Sequence, residues 1–191
     1  MKTLRIGLWI AVLVVALAAT AGFFLLKPAQ SGIGGSFALV DNKGRPATEA
    51  MLKGQPTMLF FGFTHCPEVC PTTLSEMVGW YDALGEEGKT LKAVFITVDP
   101  ERDTPEVMDG YVTSLSDRIV GLTGPRAEID KVIAAWRVYA KKVPLEGDDY
   151  TMDHTASVFL VDAKGEFQGT IAYRESTKTA VEKLKLLISK T

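Results

Sequence analysis

Hydrophobic and polar positions divide this chain into a long uncharged run and a patterned remainder. Residues 6–26, IGLWIAVLVVALAATAGFFLL, carry no charged side chain. At about 1.5 Å per residue, a helix of that length spans roughly the 30 Å hydrocarbon layer of a bilayer. Lys2 and Arg5 precede the run; Lys27 and Pro28 follow it. A cleaved signal peptide would be shorter and end in small residues, as at Ala16-Leu17-Ala18 or Ala19-Thr20-Ala21, but Phe23-Phe24-Leu25-Leu26 carry the apolar run past both. The pattern predicts an uncleaved transmembrane anchor over residues 1–27, with Lys2 and Arg5 holding the N-terminus in the cytoplasm and the rest of the chain on the far side. No arginine-rich, serine-rich transit segment precedes it, which points to a bacterial inner membrane and a periplasmic domain.

Residues 28–35 read as a linker, with Ser31-Gly32 and Gly34-Gly35. The remaining 36–191 form one domain. SFALVDNKGRPAT predicts a hairpin with Phe37 and Leu39 inward and a turn at Asn42-Lys43-Gly44. TMLFFGF (57–63) and LKAVFITV (91–98) are apolar runs too short for helices and long enough for buried strands. Between them, residues 68–84 place Leu74, Met77, Val78, Tyr81 and Leu84 on one helical face. Thr104 as N-cap and Pro105 at the first helical position open a helix that runs to Leu115. A strand near 119–122, a helix over 126–140, and a loop or small hairpin over 141–153 follow. TASVFLV (155–161) and FQGTIAY (167–173) form a terminal hairpin, and a helix over 177–189 closes the chain. Strands alternating with helices, framed by hairpins, predict an α/β thioredoxin-like fold with a mixed central sheet.

Charge narrows the function. Residues 1–27 hold three basic and no acidic side chains, so the remainder carries 18 Lys and Arg against 23 Asp and Glu, a net −5. Nucleic acid is therefore not an expected partner. The far side of a bacterial membrane is oxidising, so a close thiol pair there becomes a disulfide unless a reductant or a metal intervenes.

Such a pair exists: Cys66 and Cys70 in FTHCPEVCPTT are the only cysteines. A structural disulfide between them would close a short loop and stabilise little. The expected position of Cys66, where the strand gives way to a helix N-terminus, favours thiolate. Two readings stay open at this point. One is a redox-active pair, although thioredoxin-like redox motifs hold two residues between the cysteines and this one holds three. The other is a soft-metal site for Cu(I) or zinc, completed by a third ligand. His65 and His154 are the only histidines. Alternation at a strand end turns His65 away from Cys66, and His154 lies at the corner that faces the cysteine motif in a thioredoxin plan. A peroxidase of the peroxiredoxin type would need threonine where Phe63 stands.

Other residues carry weaker expectations. Asp153 is either a partner that orients His154 or a solvated acid. Asp99 serves the site edge or a turn before Pro100. Glu101 and Arg102 read as surface. Trp80, Tyr81, Trp136 and Tyr139 fall at helical spacings and read as core. The methionines are scattered, with no copper-binding cluster.

GSFALVD, FGFTHCPEVCPTTL, FITVDPERDTPEVM, GLTG and YTMDHTASVFLVDAKG occur in this order. Together they resemble the SCO (SenC) family, membrane-anchored thioredoxin-fold proteins that deliver copper to cytochrome c oxidase. The resemblance runs from about Gly35 to the end, and no ligand position departs from it. It implies that Cys66, Cys70 and His154 are the copper ligands and that His65 lies outside the ligand set. It further implies the copper-bearing oxidase subunit as client, a copper donor, and a thiol reductant.

Overall fold

The computed structural model describes Trp9 and residues 32–190. The expected anchor over 1–27 and the first part of the linker thus lie, Trp9 aside, outside the described residues. Among the described residues no helix is long and apolar enough to cross a membrane. The chain divides into a unit of Met1–Ser31 and a compact unit of Gly32–Thr191, and the fold below belongs to the second.

Nine strands and four α-helices build it. They are β1 (Ala38–Asp41), β2 (Pro46–Thr48), β3 (Thr57–Gly62), α1 (Val69–Leu84), β4 (Lys92–Thr97), α2 (Pro105–Leu115), β5 (Ile119–Thr123), α3 (Arg126–Ala135), β6 (Ala140–Pro144), β7 (Tyr150–His154), β8 (Val158–Val161), β9 (Phe167–Ile171) and α4 (Thr177–Ile188). Seven strands form a mixed sheet in the order β2-β1-β5-β4-β3-β8-β9. The inner pairs β3–β4 and β4–β5 are parallel, while β1 joins β5 and β8 joins β3 antiparallel. All six residues of β3 are buried, as expected of a central strand covered on both faces. Each of its large apolar side chains contributes roughly 1.5–3 kcal/mol by leaving water.

The second sheet is the β6–β7 hairpin, paired from Ala140 opposite His154 to Pro144 opposite Tyr150. Only Ala140, the last residue of the helix expected over 126–140, falls in it, and residues 136–139 are turn and irregular chain. The helix stops at Ala135 because Arg137 adopts a left-handed φ of 53°, which no α-helix continues. Trp136 still packs into the core, 1% exposed, against Phe61 and Phe159. Tyr139, expected in the core, is 56% exposed because it no longer lies on a helix face. Instead its N–H donates to Thr155 Oγ1 at 2.9 Å, and its carbonyl accepts from Thr155 N at 3.0 Å. His154 closes β7 rather than preceding the β8 strand directly.

Candidate metal centre

The site stands where β3 ends. Cys66 and Pro67 lie in the turn before α1, which starts at Val69, so Pro67 is not in the first helical turn and only Cys70 is helical. An i, i+4 helical face is therefore not what aligns the thiols. Glu68, at the N-cap position, makes no side-chain cap. Cys66 Sγ supplies one instead, accepting from Cys70 N at 3.4 Å. The sulfur thus sits among the unpaired N–H groups and the partial positive charge of the helix start.

Cys70 has no exposed surface, and Cys66 is 9% exposed; both are free thiols. Cys70 lies against Gly62: a Cβ built there would stand 2.6 Å from Cys70 Sγ. His154 approaches from the hairpin with Nε2 3.4 Å from Cys70 Sγ. Its Nδ1 lies 3.0 Å from the Thr155 carbonyl, which can only accept. Nδ1 therefore carries the proton, and Nε2 presents its lone pair to the sulfurs. Phe60 and Phe63 meet the imidazole edge to face, with centroids 6.0 and 5.8 Å away. The ligand atoms of Cys66, Cys70 and His154 all lie within 4.8 Å of one another. Bonds of about 2.0–2.3 Å would set three trigonal donors roughly 3.5–4.0 Å apart, so this donor set fits a soft metal ion with little movement. Two sulfurs and one imidazole suit copper.

The electrostatics are asymmetric. Cys66 is lowered to about 4, chiefly by the hydrogen bond from the Cys70 thiol, against a cost of burial and with help from backbone N–H groups. Cys70 is pushed up by that same hydrogen bond and by burial. The reduced pair therefore holds one thiolate and one thiol at neutral pH.

Other residues fall in different places. The His65 side chain is half-exposed and contacts Thr64 Oγ1 at 3.1 Å, apart from the three converging groups. Asp153 is exposed on β7 opposite Lys141. Arg102, expected at the surface, is only 19% exposed in its side chain, because Asp99 and Tyr150 enclose it. Asp99 is buried and accepts from Arg102 Nε at 2.5 Å and from the Tyr150 hydroxyl at 2.9 Å. Asp103, just before the Thr104 N-cap, is fully buried. It accepts from Thr64 N and Thr64 Oγ1 at 3.1 and 2.6 Å and from Thr97 Oγ1, and so fixes the segment entering Cys66.

The SCO1/SenC family model matches residues 27–189. The chain belongs to the SCO1/SenC family. It is 43% identical over 138 residues to the mitochondrial SCO1 homolog of Mus musculus, covering 71% of this chain and 49% of that protein. The chain thus spans about half the length of that curated relative. Among solved structures, Bradyrhizobium japonicum ScoI with copper bound is 47% identical at a TM-score of 0.76, covering 82% of this chain and 99% of that one. Arabidopsis thaliana ScoI with copper bound is 34% identical at a TM-score of 0.79, covering 84% and 100%. Copper thus occupies SCO1/SenC folds related to this one, and here the two thiols and the imidazole form a group able to hold it.

Proposed function

We propose that this chain is a copper carrier. It binds copper through Cys66, Cys70 and His154 and passes it to the copper-bearing subunit of cytochrome c oxidase during assembly of that enzyme. The observation that carries the reading is the convergence of two thiols and one imidazole within 4.8 Å at the end of β3. Copper is the cargo. Transfer is ligand exchange, in which the client's donors replace these three in turn, and a three-donor site leaves room for an incoming ligand. The uncharged run at 6–26 would tether the domain to a bacterial inner membrane, on the periplasmic side. A copper donor upstream and a thiol reductant to keep the pair open complete the scheme.

The asymmetric thiols favour a second reading, a thiol-disulfide oxidoreductase. The Cys66 thiolate would attack a client disulfide and release one client thiolate. Cys70 would then lose its proton and displace the second, leaving the client reduced and Cys66–Cys70 oxidised. Two further thiols, or one dithiol, would have to return two electrons and two protons and become a disulfide in turn.

Anaerobic Cu(I) titration separates the two. The reduced chain should bind one equivalent and the disulfide form none at this site, because thiolates and not disulfide sulfurs ligate the metal. His154→Ala should weaken Cu(I) binding by at least about 10-fold and Cu(II) binding further, with thiol-disulfide exchange much less affected. His65→Ala should bind like the parent. Loss of copper in His65→Ala with retention in His154→Ala would overturn the ligand assignment. Parent-like copper binding by both variants, with cellular activity still dependent on the cysteines, would leave the redox reading.

A further inference from the structure

Tyr150 lies four residues before His154 on β7, and the loop after β4 grips it from several directions. The Arg102 guanidinium stands 3.7 Å from the centroid of its ring, and Lys142 Nζ also lies 3.7 Å from that centroid. Both cations are anchored in the same loop, since Arg102 pairs with Asp99 and Lys142 pairs with Glu101 at 2.8 Å. Arg102 Nη1 also donates to the Tyr150 carbonyl at 2.9 Å and reaches Asp149 at 3.4 Å. The Tyr150 hydroxyl donates to Asp99. Burial and that hydrogen bond push Tyr150 up to about 12, so the hydroxyl keeps its proton at neutral pH. The Arg102 guanidinium also lies 5.8 Å over the Phe63 ring, one of the two rings that meet the His154 imidazole edge-on.

We propose that Arg102 is a positioning residue for His154. It touches neither thiol nor, in this reading, copper. It fixes the β6–β7 hairpin through Tyr150 and backs the aromatic wall behind the imidazole through Phe63. The hairpin pairs only with itself, so its placement depends on such side-chain contacts rather than on a sheet ladder. Releasing the grip would let His154 drift from Cys70 while both cysteines, held by β3 and α1, stay together. The loop from Asp99 to Arg102 thus governs whether the site has three donors or two. This inference rests on His154 being a copper ligand.

The test uses the full chain in detergent. Arg102→Met keeps much of the apolar stem and removes the charge and its donors; Arg102→Lys keeps the charge but not the planar fork; Tyr150→Phe removes only the hydroxyl. In the reduced apoprotein, hydrogen exchange over 140–154 should quicken in Arg102→Met, with exchange in β3 and α1 unchanged. Cu(II) affinity should fall about 10-fold, by analogy with loss of a group that orients a ligand, and Cu(I) affinity less. The nitrogen hyperfine signature of bound Cu(II) should weaken. Arg102→Lys should recover part of each effect, and Tyr150→Phe should shift each in the same direction by less. His154→Ala is run alongside. If it loses the nitrogen signature while Arg102→Met keeps it and keeps the Cu(II)-to-Cu(I) preference, the positioning role is wrong and the ligand stands. If His154→Ala itself binds both copper states like the parent, the ligand reading fails first. A uniform loss of stability with unchanged copper spectra would also overturn the proposal.

Discussion

A Cβ added at Gly62 would stand 2.6 Å from Cys70 Sγ and 2.8 Å from Phe95 Cε2, closer than real Cβ contacts come. Phe95 is fully buried on the neighbouring strand and has nowhere to retreat, so Gly62→Ala would displace the thiol. Overpacking of this kind typically costs about 1–3 kcal/mol. The sulfur would move relative to Cys66 and His154, so the expected outcome is a lower melting temperature together with about a tenfold weaker hold on Cu(I). A variant that loses stability but titrates with copper like the parent would show that the thiol pair tolerates the shift. Nothing in TMLFFGF marks Gly62 as special, because the requirement comes from an α1 sulfur packed against it. The Thr155 carbonyl behind His154 is likewise invisible in sequence: any residue offers that oxygen, and only the path of the chain between β7 and β8 places it.

At the scale of elements, what was legible followed apolar continuity. The runs at 57–63 and 91–98 are β3 and β4 because both faces of an inner parallel strand are covered, which leaves no room for polar alternation. Thr104 caps α2 as its sequence position foretold, accepting from Val107 N. The helix over 126–140 was overrun because helical spacing persists through Trp136 and Tyr139, and no glycine or proline announces the left-handed residue at Arg137. Cys66 and Cys70 stood out through their chemistry and His154 through the resemblance to the SCO family, whereas Arg102 and Asp103 did not: their partners come from segments up to 48 residues away. Asp103 offers a pH test of such a hidden contact. Burial raises its pKa above the usual 3.8, against the hydrogen bonds from Thr64 and Thr97. In the window from 3.8 up to its native value the folded chain binds the extra proton, so its contribution to stability is present at low pH and lost as pH rises. Urea unfolding of the parent and Asp103→Asn between pH 4 and 7 should give a difference, parent minus variant, that shrinks with rising pH. A growing difference would mean that the hydrogen bonds outweigh burial.

Across the whole molecule, the three converging groups tie together parts of the chain that fold far apart in sequence. Cys66 and Cys70 belong to the β3–α1 junction, and His154 belongs to a hairpin 84 residues beyond Cys70. An ion bound by all three pins that hairpin onto the sheet, and a denatured chain, with its ligands dispersed, cannot present the same site. Copper should therefore act as a folding ligand that stabilises by RT ln(1 + [L]/Kd), about 2.7 kcal/mol at a free concentration 100 times Kd. For a domain of this size each kcal/mol moves the melting temperature by about 2–4 °C, so reduced protein in saturating Cu(I) should melt roughly 5–11 °C higher. The disulfide form offers no thiolate and should not respond at one equivalent. His154→Ala at the same free copper should gain less: a Kd weakened about 10-fold removes nearly 1.4 kcal/mol of the stabilisation, or roughly 3–5 °C. Differential scanning calorimetry of the three samples, with copper buffered by a competing Cu(I) chelator, measures each shift. An equal rise in the oxidised chain would place the bound copper away from the thiols. An equal rise in His154→Ala would mean that the two cysteines alone hold the ion and that the hairpin contributes nothing to the site.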